Sequence, residues 1–216
     1  GLTPDTAFAF ACTPHQEALN TLLIAAANGE GFMKVTGEVG TGKTLLCRRF
    51  LSQLDDETVT AYIPNPLLDP HGLLLALAEE LRADFDRDDD QPRLLKALNQ
   101  VLLAYAKAGK RVVVCLDEAQ AVPLATLESL RLLSNLETEK RKLFQVVLFG
   151  QPELDAKLAD ESVRQLQQRI TFQYHLAAIS RRELEYYISH RLRIAGYMGD
   201  RLFNAAALDA LYRASG

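Results

Sequence analysis

The chain has 216 residues, of which 48% are hydrophobic and 24% charged, enough for one α/β core with a small appendage. Its net charge of −4 gives no electrostatic footprint for bulk nucleic-acid binding. The three cysteines, Cys12, Cys47 and Cys115, imply neither a disulfide framework nor a zinc site, and no apolar run approaches the ~20 residues of a membrane helix.

Thr13-Pro14-His15-Gln16 predicts a helix start, with Thr13 as N-cap, Pro14 at N1 and Gln16 completing a capping box. Ala18, Leu19, Leu22, Leu23 and Ala26 then share one helical face until Gly29-Glu30-Gly31 ends the helix. Phe32–Thr36 is a mainly apolar strand feeding a glycine-rich loop, and Leu45–Leu54 continues as a helix. Val59–Ile63 is a second strand, rich in β-branched and aromatic residues, which Pro64-Asn65-Pro66 breaks. Asp69-Pro70 caps a helix running through Leu81, and the acidic stretch Asp84–Gln91 reads as a solvated loop.

Pro92–Ala108 is helical, and Val112–Leu116 is a continuous apolar strand of the kind buried on both faces of a parallel sheet. Pro123–Leu136 is the next helix, Leu143–Phe149 the next strand, and Ile170–His175 the last. Lys140-Arg141-Lys142 reads as a short basic turn. Strands alternating with helices predict an α/β domain with a parallel sheet. From Ser180-Arg181-Arg182-Glu183, another capping box, the pattern changes: Leu184–Ile194 and Leu202–Tyr212 are helices with no strand between them. The expected division is therefore an α/β domain over 1–178 and a helical segment over 179–216.

Gly37-Glu38-Val39-Gly40-Thr41-Gly42-Lys43-Thr44 satisfies G-x-x-x-x-G-K-[ST] between a strand and a helix, the context of a P-loop. Its glycines let backbone N–H groups curl around phosphates, and the helix N-terminus adds partial positive charge. Lys43 is expected on the β- and γ-phosphates of ATP and Thr44 Oγ on Mg²⁺. The expected nucleotide-binding set is Gly37, Glu38, Val39, Gly40, Thr41, Gly42, Lys43, Thr44 and Leu45. Asp117, closing the Val112–Leu116 strand, is the expected partner on the metal. Glu118 beside it can accept a proton from attacking water, which argues for hydrolysis rather than passive binding. His15, His71, His175 and His190 have no metal-ligand spacing.

The P-loop, the Asp117-Glu118 pair and the trailing helices together resemble an AAA+ ATPase, a three-layer αβα P-loop fold with a small helical lid. More narrowly, Thr13-Pro14-His15-Gln16-Glu17-Ala18-Leu19, Gly29-Glu30-Gly31-Phe32, Asp117-Glu118-Ala119-Gln120 and Gly150-Gln151-Pro152-Glu153-Leu154 resemble the ExeA-type secretion ATPases. That family includes the general secretion pathway A proteins and the MshM-like ATPases of mannose-sensitive haemagglutinin (MSHA) pilus biogenesis, and the MshM-like branch is the nearer.

The resemblance implies further roles. Gln151 takes the place of the sensor 1 residue that orients water or the γ-phosphate, in competition with a plain turn role before Pro152. Arg169 takes that of an arginine finger reaching a neighbouring subunit, with Arg164 as competitor and a surface ion pair as the alternative. Asn65 resembles a switch residue that restrains the catalytic glutamate. By the same analogy His15 lies near the adenine pocket, although packing of the helix start explains it equally well. The implied partners are ATP and ADP, further copies in a homo-oligomer, and secretion or pilus assembly proteins. Nucleic acid is not expected, although DNA-linked transposition-helper ATPases share these motifs, and a slow nucleotide-gated scaffold is a further alternative. The expected location is the cytoplasm, at the inner membrane through partners. In this family the last helices lead into a Gly-x-Pro-Arg stretch. The chain reaches Gly216 where that stretch would begin, so the lid is expected to be incomplete.

Overall fold

Five strands form one sheet in which every neighbouring pair is parallel: β1 (Phe32–Thr36), β2 (Thr58–Ile63), β3 (Arg111–Leu116), β4 (Phe144–Gly150) and β5 (Ile170–His175). Their spatial order is β2-β3-β4-β1-β5. The computed structural model describes residues 13–64, 66–134, 137–138, 141–142 and 144–215. Helix α1 (Thr13–Ala27) precedes β1, and the helices between the strands are α2 (Lys43–Gln53), α3 (Pro70–Glu80), α4 (Gln91–Lys107), α5 (Leu124–Leu133), α6 (Glu153–Leu158) and α7 (Arg164–Gln167). After β5 come α8 (Arg181–Ile194) and α9 (Ala205–Ser215).

Successive strand residues face opposite sides of a sheet, and here both sides are apolar. Val112, Val114 and Leu116 join one core with Leu74, Leu98 and Leu130 of α3, α4 and α5. Val113 and Cys115 join the other with Leu22 of α1 and Phe50 of α2. The central strand β3 is thus covered on both faces, which gives the three-layer αβα arrangement that the alternating pattern predicts.

The boundaries differ where capping decides them. Asp69 Oδ1 accepts from Gly72 N at 2.7 Å and Asp90 Oδ1 from Arg93 N at 3.0 Å, so α4 begins at Gln91 rather than Pro92. Gln16 donates from Nε2 along the helix to Asn20 Oδ1 at 2.8 Å, and the Thr13 side chain expected to cap the helix lies outside the described residues. Gln145, buried in β4, donates to Ala26 O and Glu30 O and so closes the carboxyl end of α1. Helix α5 stops at Leu133, three residues short of the expected end, with Ser134 as its C-cap. Glu137–Thr138 and Arg141–Lys142 pair antiparallel, and Lys140 of the expected basic turn lies outside the described residues. Leu143, the expected first residue of β4, lies outside the described residues.

At Ser180 the capping box forms as predicted, with Ser180 Oγ and the Glu183 side chain bonded reciprocally to the backbone. Arg181 bridges α8 to α9 through Asp209 at 2.7 Å. These two helices bury few apolar side chains, Leu184 and Leu208 being the main ones. No described helix is long and apolar enough to cross a membrane.

Candidate functional site

Strand β4 lies between β3 and β1, so the carboxyl ends of the three strands stand side by side. The register sets Thr36 opposite Gly150 and Leu116 opposite Leu148. Gly37, Asp117 and Gln151, the residues that follow, therefore emerge along one edge, where ligands of open α/β sheets bind.

The loop from Gly37 to Gly42 carries the chain from β1 into α2. Thr41 fixes its curl by donating from both N and Oγ1 to Glu38 O, at 3.3 and 2.8 Å. Val39 stands exposed at the tip. Lys43, only 6% exposed, donates from Nζ to Gly37 O at 2.7 Å and Glu38 O at 2.8 Å. Burial pulls its ammonium below the ordinary lysine value, against the opposing charges of Glu118 and Asp117.

Gly42 has φ +87°, and a Cβ there would stand 2.7 Å from His15 Nε2. Backbone conformation and the imidazole both require glycine at this point. His15 is 9% exposed and packs its ring against the loop. Burial lowers its pKa below the usual histidine value, opposed by a hydrogen bond to the Thr41 backbone. At the start of α1, His15 thus packs against the P-loop.

The acidic pair divides into a buried member and a facing one. Asp117 is 2% exposed, and its N–H donates to Ile63 O, continuing the β2–β3 ladder by one residue. Its Oδ1 accepts from Glu118 N at 3.0 Å and its Oδ2 from the Tyr62 hydroxyl at 3.2 Å. Burial, then the Asp117 charge, push the Tyr62 phenol up to about 12. Glu118 sits at φ +53°, a left-handed conformation that costs a non-glycine residue energy and commonly marks a functional position. Its Oε2 accepts from Gln120 Nε2 at 2.6 Å and from Gln151 Nε2 at 3.3 Å.

A cleft of 270 Å³ joins these parts, lined by Val39, Gly40, Gly42, Lys43, Thr44, Leu45, Glu118 and Gln151. The expected phosphate loop, base and sensor residue therefore share one cavity. Asp117 lies buried behind Glu118. Thr44 and Asp117 offer only oxygen donors, the chemistry that suits Mg²⁺. Among the described residues no group of three or more His, Cys, Asp or Glu side chains could hold a metal without other donors.

Arg169 lies elsewhere, its Nη1 donating to Ser134 Oγ at 2.7 Å and, more weakly, to Arg131 O at the end of α5. Arg169 thus has partners within its own chain, and Arg164 at the start of α7 is exposed. Asn65 lies outside the described residues. The sequence reading gave no role to Tyr62, Gln120 or Lys157. Gln120 carried a signal, as the last residue of Asp117-Glu118-Ala119-Gln120, but Tyr62 and Lys157 reach the site only through the folded sheet.

Residues 26–158 match the family model described as AAA domain. Over 215 residues the chain is 44% identical to general secretion pathway protein A of Aeromonas hydrophila, an alignment covering 100% of this chain and 39% of that protein. The chain thus spans well under half the length of this relative. Among solved structures, the ORC2 protein of Aeropyrum pernix in its ADPNP–ADP complexes aligns at TM-score 0.65 and 18% identity, over 83% of this chain and 51% of that one. Cdc6p of Pyrobaculum aerophilum aligns at TM-score 0.68 and 18% identity, over 89% of this chain and 54% of that one. At such identities the shared property is the fold.

Proposed function

This chain belongs to the AAA domain family of ATPases, and on that premise we propose that it binds Mg²⁺-ATP in the cleft between the P-loop and Glu118 and hydrolyses it. The observation that carries this reading is the shared lining of that cleft, where Glu118 and Gln151 face Lys43, Thr44 and the loop. Lys43 exchanges its bonds to Gly37 O and Glu38 O for the phosphates, and backbone N–H groups in the first turn of α2 bind the rest of the anion. Thr44 and Asp117 hold Mg²⁺, which when bound neutralises charge on the phosphate oxygens. Glu118 takes a proton from the attacking water and Gln151 orients it. A cation from the Arg164–Arg169 segment completes the site of a neighbouring copy in a homo-oligomer.

The output is a change of subunit arrangement rather than a small-molecule product beyond ADP and phosphate. The 44%-identical relative is a general secretion pathway protein. That supports assembly of a secretin or of a type IV pilus of the MSHA kind as the work done, from the cytoplasm and at the inner membrane through partners. Helices α8 and α9 belong, on this reading, to a nucleotide-sensing lid over 179–216.

Titration calorimetry with ATP and Mg²⁺ tests the binding site. Lys43→Ala removes a charge-assisted contact of roughly 1.5–3 kcal/mol, so affinity should fall at least ~10-fold. Unchanged affinity would mean that the phosphates bind elsewhere. For the cellular role, cells carrying only Lys43→Ala should fail to assemble the secretin or pilus, and normal assembly would refute that role.

A further inference from the structure

We propose that Gln120 is a positioning residue for ATP hydrolysis, setting Glu118 and Gln151 relative to each other, and that Lys157 holds it in place. The inference rests on the reading of Glu118 as the base.

Its first ground is the turn that follows Glu118. Ala121 N donates to Glu118 O at 2.9 Å and Val122 N to Ala119 O at 3.1 Å, so Glu118 enters a tight 3-10 turn from its left-handed conformation. Such a backbone persists only where its surroundings over-determine it. Lys157, on α6, supplies that restraint, since its Nζ donates both to Gln120 O and to Val122 O, the latter at 2.7 Å. An ammonium on two backbone carbonyls makes charge-assisted bonds, stronger than neutral ones.

The Gln120 side chain works on the cleft. Nε2 donates to Glu118 Oε2 at 2.6 Å, and Oε1 accepts from Gln151 N at 3.0 Å. The amide can point only one way, because an ionised carboxylate can only accept and a backbone N–H can only donate. An ionised carboxylate of the same length would supply no donor there. A Cβ on residue 150 would lie 3.1 Å from Gln120 Oε1 and 2.9 Å from Leu154 Cδ2, so Gly150 admits the close approach. Leu154 N donates to Gln151 O at 2.9 Å, which ties Gln151 to the helix that carries Lys157.

The contacts therefore close a loop from Glu118 to Gln120, to Gln151, through α6 to Lys157 and back to Gln120. One carboxylate oxygen of Glu118 is pinned by two amides, which leaves Oε1 to take the proton. Loss of the pin lets the base swing away from the water, and misplacement of about 1 Å can cost ~10²-fold in rate.

Steady-state phosphate release by the whole chain tests this. Gln120→Ala and Gln120→Glu should each lower kcat by about 10- to 100-fold while KM for ATP stays within about 2-fold. The second variant keeps the size of the side chain should alanine disturb the fold. Lys157→Met should lower kcat in the same pattern, and Lys157→Arg should restore most of it. In a Glu118→Gln background, Gln120→Ala should cost nothing further. Wild-type turnover in both Gln120 variants, or an equal loss in the Glu118→Gln background, would overturn the inference while leaving the base assignment standing. Wild-type turnover in Glu118→Gln alone would instead overturn the reading beneath it.

Discussion

The hydroxyl of Tyr62 donates to Oδ2 of Asp117 at 3.2 Å, from the strand position paired with Cys115, two residues before that aspartate. A carboxylate as buried as Asp117 needs such donors. With its pKa pushed up to about 12, the phenol keeps its proton throughout the neutral range. Tyr62→Phe removes one hydrogen bond of ~1 kcal/mol from the proposed metal ligand, so half-saturating Mg²⁺ should rise about 5-fold. Magnesium titration of phosphate release measures this. An unchanged midpoint would show that Asp117 is oriented without Tyr62.

The burial of His15 against the P-loop predicts a loss of stability in acid. Burial lowers its pKa, with Arg49 acting in the same sense and the Thr41 backbone and Glu183 opposing. The unfolded chain takes up the proton near pH 6.5, and the folded chain resists it until lower pH. This contribution to stability is therefore fully present above pH 6.5 and is lost as pH falls from there through the lowered folded value. His15→Gln should remove that slope, so that its urea midpoint drops less between pH 7.5 and 5.5 than the wild-type midpoint does. Equal drops would mean that His15 is protonated alike in both states.

The chemistry of the cleft was legible in the sequence because its main parts are contiguous. The P-loop occupies eight consecutive positions from Gly37 to Thr44, and Asp117-Glu118 closes an apolar strand. The parallel α/β architecture was equally open to reading, since strand and helix periodicities alternate. Helices α6 and α7 were not, because 6 and 4 residues are too few to show a helical period. Lys157 is a plain surface lysine by sequence, and only the fold brings it to Gln120, 37 positions away. The resemblance offers Arg169 as an arginine finger, with a surface ion pair as the alternative. The described fold sets it on Ser134, a contact that depends on where α5 ends.

That contact sharpens the test of a trans-acting arginine. Arg169→Ala should cost about 1–2 kcal/mol of stability through the lost bonds to Ser134 and Arg131 O, read from denaturant midpoints. Arg164→Ala should leave stability unchanged, bind ATP almost normally and hydrolyse it poorly, because fingers of this kind contribute ~10³–10⁵ in rate. Mixing it with Lys43→Ala subunits should recover activity, as an intact P-loop then faces an intact Arg164. Recovery with Arg169→Ala in its place would assign the role to Arg169. No recovery with either would refute the trans mechanism.

Glu118 carries the central claim, that the cleft hydrolyses ATP rather than merely holding it, and single-turnover hydrolysis by Glu118→Gln tests it most directly. The glutamine keeps the shape of the side chain and an acceptor for Gln120 and Gln151 but cannot take a proton from water. ATP binding by calorimetry should match the wild type, and the rate of the chemical step should fall ~10²–10⁴-fold. A variant that binds ATP and cleaves it at the wild-type rate would contradict the account, because Glu118 would then not be the base.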